Sequence, residues 1–202
     1  MYVPKHFAVS DRAELTRFIR AHPFGVLVSV DSAQPVATHV PFVVLNEGRE
    51  TVLGLHVARA NPHWQTLDGA DVLAIFQGPH AFVSASWYEQ PERSVPTWDY
   101  SAVHCRGRAS LADEDATERI LRALVAAHEG ESSWSMEIAK PDYLEAMKRG
   151  IVAIQIAVSS MEGAFKLSQN RSEIERARVA DELRTAAPDV AESILHGIKR
   201  SM

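Results

Sequence analysis

The chain has 202 residues, 46% of them hydrophobic and 23% charged, enough for one good core, or for one domain with a small appendage. Its 26 acidic side chains outnumber 21 basic ones, for a formal net charge of -5, and no basic stripe offsets this, which argues against a protein built to grip a nucleic-acid backbone. One cysteine excludes an intramolecular disulfide, no apolar run reaches the ~20 residues of a membrane-spanning helix, and Met1–Phe7 carries no signal-peptide pattern, so a soluble cytoplasmic protein without a membrane partner is expected.

In chain order, Asp11 to about Ala21 is predicted helical, because Asp11 and Glu14 have capping-box spacing and Leu15, Phe18 and Ile19 form an apolar stripe. His22-Pro23 ends it. Short β-branched runs follow at Phe24–Val30, Val36–Leu45, Thr51–Val57, Val72–Gln77 and Ala81–Trp87, separated by Asp31-Ser32, Asn46-Glu47-Gly48, Asp68-Gly69 and Gly78-Pro79. Val103–Leu111 and Ile151–Val158 read as two more strands. Between them lie a helix from about Asp113 to Glu129, with Ile120, Leu121, Leu124 and Val125 on its buried face, and a short one over Pro141–Gly150. Ser172 and Glu175 cap another helix, and Pro188 opens a last one ending near Gly197. Closely spaced strands with hairpin-length links favour an antiparallel sheet or barrel. One domain is expected over 1–202, a barrel core with inserted helices to residue 170 and a helical tail from 171.

No P-loop, GxGxxG, HExxH or CxxC pattern occurs, so a bound phosphate would need side-chain donors. His56, Arg59, Asn61, His63 and Trp64 offer such donors beside an Asn61-Pro62 turn, although on these residues alone a solvated hairpin loop is the first reading. In Thr38-His39-Val40, alternation puts Thr38 and Val40 on one face and His39 on the other. The aromatics around Ser84, Ser86, Trp87, Tyr88 and Trp98 suit a flanked planar ring or a plugged barrel end. Lys166–Arg171 is denser in polar groups than a helix cap requires. Cys105 reads as a small core residue, and the histidines show no metal-ligand spacing.

Taken together, the Met1–Phe7 opening, Thr38–Phe42, Gly54–Trp64, Ile75–Tyr88, Val95–His104 and Lys166–Arg171 run in the order of the PaiB-type FMN-binding negative transcriptional regulators, which the chain resembles over nearly its whole length. The resemblance implies a mainly β fold with peripheral helices: a split β-barrel homodimer with FMN between subunits, shared with pyridoxamine-phosphate oxidases and flavin reductases. It places Thr38, His39, His56, Arg59 and Asn61 at the phosphate and ribityl chain. Gln77, Ser86 and Trp87 would approach the flavin from the same or the partner subunit, and Lys166, Gln169 and Arg171 would close the site. Arg59 and Asn61 are expected to carry the phosphate contacts, with His56 as support behind them.

A flavin-binding negative regulator is the first functional reading. Direct binding to bare DNA is not expected, because the helix opening Pro188-Asp189-Val190-Ala191-Glu192 would present acids to the phosphates. An FMN-dependent oxidoreductase linked to a nicotinamide cofactor or a small substrate is the alternative, although no residue stands out as a general base. Haem handling through His39, His56 or His63 ranks last.

Overall fold

In a computed structural model, residues 1–47, 50–129 and 134–199 are described. Gly48 of the predicted Asn46-Glu47-Gly48 turn lies outside them. The elements in order are β1 (Ala8–Val9), α1 (Arg12–Ala21), β2 (Phe24–Asp31), β3 (Gln34–Pro41), β4 (Val43–Asn46), β5 (Val52–Ala58), β6 (Asp71–Val83), β7 (Thr97–Leu111), α2 (Glu114–Glu129), α3 (Pro141–Arg149), β8 (Ile151–Lys166), α4 (Glu173–Ala186) and α5 (Pro188–Lys199). The strand order is β3-β2-β6-β7-β8-β5-β4, with β1 antiparallel to β8 off this path. The β2–β3, β2–β6, β4–β5 and β5–β8 pairs are all antiparallel. No helix among the described residues is long and apolar enough to cross a membrane.

The chain divides into two compact units. The larger comprises Asp11–Phe76 and His104–Met161; the smaller comprises Met1–Ser10, Gln77–Val103 and Glu162–Met202.

In the larger unit, the expected cap forms: Asp11 Oδ1 accepts the Glu14 N–H at 2.7 Å, and α1 buries Leu15 and Ile19. The β2–β3 hairpin pairs Asp31 with Gln34 across a two-residue loop. Ser32 and Ala33 take φ values of 47° and 68°, the left-handed pair that a tight hairpin demands. Neither is a glycine, so the turn is formed against a backbone cost. Gly25 has a different duty. A Cβ there would stand 2.6 Å from the Ile75 carbonyl oxygen and 3.2 Å from Phe42, so β2 approaches β6 only because the side chain is absent. Helix α2 lays Ile120 and Leu124 on Val43 and Ala153.

In the smaller unit, α4 and α5 enclose a core of Val179, Leu183, Val190 and Ile194 with Val83 and Tyr88. Ser172 caps α4, its Oγ accepting the Glu175 N–H at 3.2 Å.

Several strand limits differ from expectation. Val36–Leu45 is two strands divided at Phe42. Gly78-Pro79 is no turn but lies inside β6, which joins two predicted strands; the expected Ala81–Trp87 strand stops at Val83, and Ala85–Trp87 is a 3-10 turn. Burial falls on Val72, Ala74, Phe76 and Gly78, then on Ala81 and Val83. The inward positions thus change parity across Gly78-Pro79, so the two halves of the strand bury opposite alternations. Strand β7 begins six residues before Val103, and β8 continues past Val158 to Lys166.

Two substitutions test the backbone reading. Ala33→Gly is expected to raise stability by about 0.5–1 kcal/mol, the left-handed penalty less the entropy of glycine. Gly25→Ala is expected to cost about 1–3 kcal/mol through overpacking. Urea midpoints of the two variants should move in opposite directions.

Candidate functional site

The larger unit assembles a polar network at the start of the turn that follows β5. Ser29 on β2 and Thr38 on β3 are diagonal neighbours on one face of the hairpin, since Ser29 pairs with Val36 and Thr38 with Leu27. Between them and the turn over Pro62–Thr66 sits His63, 3% exposed. Its Nε2 is 2.8 Å from Ser29 Oγ and its Nδ1 2.7 Å from Thr38 Oγ1. Asn61 caps the turn: Oδ1 accepts the His63 N–H at 3.0 Å, and Nδ2 donates to Thr38 Oγ1 at 3.3 Å.

Burial lowers the pKa of His63 from the ordinary 6.5, opposed in part by the Asp31 carboxylate. The ring is therefore neutral at pH 7, with one nitrogen donating and the other accepting. Hydroxyls on both sides satisfy either tautomer.

Arg59 is exposed but held. Its Nε donates to the Arg149 carbonyl and its Nη2 to that of Ile151, both at 2.7 Å, where α3 passes into β8. Its own carbonyl accepts the Trp64 indole N–H at 2.9 Å, and the guanidinium lies 5.9 Å from the Trp64 ring centroid. Nη1 is committed to no partner among the described residues, so half of the fork stays available on an arginine of fixed position.

The expected residues of this unit therefore separate. Thr38 and Asn61 come together directly, and Arg59 shares their turn. His39 is exposed on the opposite face of β3, as alternation requires. His56 points elsewhere: it lines an apolar pocket with residues of α2 and α3, and its Nδ1 is buried without a partner. Ser29 and His63 complete the network; Ser29 was not singled out in the sequence, and His63 was named among the donors there but given no place at the flavin. A serine at an inward position of an alternating apolar strand, and a histidine two residues after a turn asparagine, were the available signals.

In the smaller unit, the polar run after β8 is largely occupied. Asp99 is fully buried, and burial raises its carboxyl pKa against the pull of Ser168 and Lys166. Ser168 donates to Asp99 Oδ2 at 2.7 Å from a backbone with φ 59°, and Lys166 Nζ lies 3.5 Å from Oδ1. Lys166 also donates to Thr97 Oγ1 at 2.7 Å and to the Trp98 carbonyl. Gln169 closes its own turn through the Leu167 N–H and the Phe165 carbonyl. The Arg171 guanidinium lies 3.8 Å above the Tyr88 ring, a cation–π contact. Gln77 bonds His80 at 3.2 Å, Ser86 bonds Ser84 at 2.8 Å, and Trp87 packs on the α4–α5 core.

This is the fold of a class of solved flavoproteins. The flavocytochrome Anf3 of Azotobacter vinelandii superposes with a TM-score of 0.63 at 17% identity, over 81% of this chain and 72% of its own. The FAD and heme binding protein of Mycobacterium smegmatis gives 0.62 at 15% identity, over 84% and 78%. The sequence is more specific. Residues 1–160 match the family described as "Putative FMN-binding domain". The chain is also 36% identical over 186 residues to "Protease synthase and sporulation protein PAI 2" of Bacillus subtilis (strain 168), covering 91% of this chain and 89% of that protein. The chain thus belongs to the PaiB-type FMN-binding family, and FMN is its cofactor.

The donor set suits the phosphate end of FMN. A fixed arginine with an uncommitted Nη1 stands two residues before Asn61, whose amide bonds the Thr38 hydroxyl on β3, and among the described residues no carboxylate bonds any of the three.

The pH dependence follows from the two lowered histidines. Burial lowers both His63 and His56 below 6.5, so the unfolded chain binds more protons than the folded one in the interval beneath that value. Their contribution is complete above pH 6.5 and is lost as the pH falls through the lowered values. Urea midpoints should drop over that interval, and His63→Gln and His56→Gln should each flatten part of the drop.

Proposed function

We propose that the chain is a homodimeric split-barrel regulator whose output depends on FMN, with Arg59, Asn61 and Thr38 holding the flavin phosphate. The observation that carries this assignment is the immobilised turn. Asn61 and Thr38 are pinned through buried His63, while Arg59 is pinned independently through the Arg149 and Ile151 carbonyls. Donors fixed before the ligand arrives lose little freedom on binding, which is what a dianion recognised by side chains alone requires. FMN supplies a redox-active ring when bound; this chain's part is to grip the phosphate and to hold His63 neutral behind the grip. For Gln77, Ser86, Trp87, Lys166, Gln169 and Arg171, and for His39 and His56, the family resemblance alone speaks for flavin contact.

Regulation in this reading does not pass through a sequence-specific grip on bare DNA. Helix α5 opens on Pro188-Asp189, and its Val190, Ala191 and Ile194 are spent on the core with α4. A specific gel shift at physiological salt would overturn that part.

The phosphate assignment is tested by comparing FMN with riboflavin, which lacks the phosphate. Arg59→Ala and Asn61→Ala should weaken FMN by about tenfold each, the worth of one hydrogen bond to a charged group, and leave riboflavin nearly unchanged. Equal losses for both flavins would show that the residues serve the fold and not the phosphate. Steady NADH oxidation by the purified protein would move the conclusion to the oxidoreductase reading.

A further inference from the structure

The larger unit contains a concavity lined by none of the three side chains proposed to hold the phosphate. A cavity of about 210 Å³ lies among α2, α3, β5 and the start of β8, lined by Leu121, Val125, Trp134, Met136 and Met147, with His56 on one wall. Apolar cavities of somewhat smaller volume hold a benzene-sized molecule. Two thioethers and an indole in one lining favour an aromatic guest, since sulfur–aromatic and ring contacts both reward it.

The polar groups narrow the choice. Lys148 at the rim is engaged by Glu118 at 2.6 Å and Glu145 at 3.0 Å. Arg122 pairs in turn with Glu118 at 2.8 Å and with Glu137 at 2.5 Å. Three carboxylates against two cations offer nothing to an anion. His56 is the exception on the wall. Its ring is half-buried, and Nδ1 is buried with no partner among the described residues. A bare lone pair in a sealed position costs less than a bare N–H, so the proton of the neutral ring sits on Nε2. His56 is therefore, beside the ion-paired Lys148, the polar side chain of an otherwise apolar lining, and its N–H is the one carried by Nε2.

We infer that this cavity is a binding site for a small neutral aromatic molecule bearing one acceptor oxygen, held by ring contacts and by the His56 Nε2–H. Such a site shares no side chain with Thr38, Asn61 or Arg59, although Ile151, which lines it, gives its carbonyl to Arg59; on the proposed function it gives the regulator a second input.

The test is calorimetry on the FMN-loaded full chain with three probes: acetophenone, ethylbenzene and benzoate. Acetophenone should bind about fivefold more tightly than ethylbenzene, the worth of one neutral hydrogen bond, and benzoate should not bind. His56→Phe should erase the preference for acetophenone while leaving ethylbenzene bound. Met147→Trp, at a position already 51% exposed and therefore tolerant of bulk, should fill the mouth and abolish both. Equal affinity of acetophenone and ethylbenzene for the wild type would overturn the role of His56, and tighter binding of benzoate would overturn the neutral class. Failure of every probe, or a dimer that Met147→Trp splits, would overturn the site itself and mark the surface as a protein contact; neither result touches the phosphate assignment, which the riboflavin comparison reads separately.

Discussion

The larger unit turns on one buried imidazole held between two hydroxyls. His63 has no water to fall back on, so both ring nitrogens depend on Ser29 and Thr38 being present together. That couples β2, β3 and the turn after β5 into one arrangement. A one-residue slip of the hairpin would send either hydroxyl to the opposite face and strand a buried nitrogen, at a cost of about 1–3 kcal/mol. The register of the first hairpin and the position of Asn61 are thus a single constraint. Arg59 is fastened from the other side, to the carbonyls where α3 gives way to β8.

The smaller unit solves the related problem of a buried charge. Asp99 occupies an inward position of β7, where neighbouring inward positions are Ser101, Val103 and Cys105. Its carboxyl is held by the Ser168 hydroxyl and the Lys166 ammonium, delivered by the chain as it leaves β8. Ser168 accepts a left-handed backbone to reach it. The polar density of Lys166–Arg171, too great for a helix cap, has this structural use whatever else it does.

How much of this was legible follows from which residues carry the pattern. Helix α1 was readable because cap and apolar stripe agree, with Asp11 and Glu14 ahead of Leu15 and Ile19; a capping box marked α4, and an opening proline marked α3 and α5. The family, too, could be read from six ordered stretches, and so could the pairing of Thr38 with Asn61 in one place. Strand extents were not. The first half of β7 buries Asp99 and Ser101, so its inward positions are polar and the apolar alternation begins only at Val103. In β6 a Gly-Pro pair inside one continuous strand, where the inward alternation changes parity, reads as a turn. Nor could the direction of His56 be read, because it depends on which neighbours α2 and α3 place against β5. Ser29 and His63 were legible as residues but not as partners, for their meeting depends on hairpin register.

Cys105 has a consequence of another kind. It is fully buried on β7, and burial pushes its thiol up to about 12. Since the thiolate is the reacting form, only a fraction on the order of one part in 100,000 would exist at neutral pH, even were reagent able to reach it. Any modification must therefore pass through an opening of the strand that exposes the sulfur. As the sole cysteine of the chain, it serves as a built-in clock. The rate at which a thiol reagent captures it, extrapolated to native conditions, measures how often the middle of the sheet comes apart.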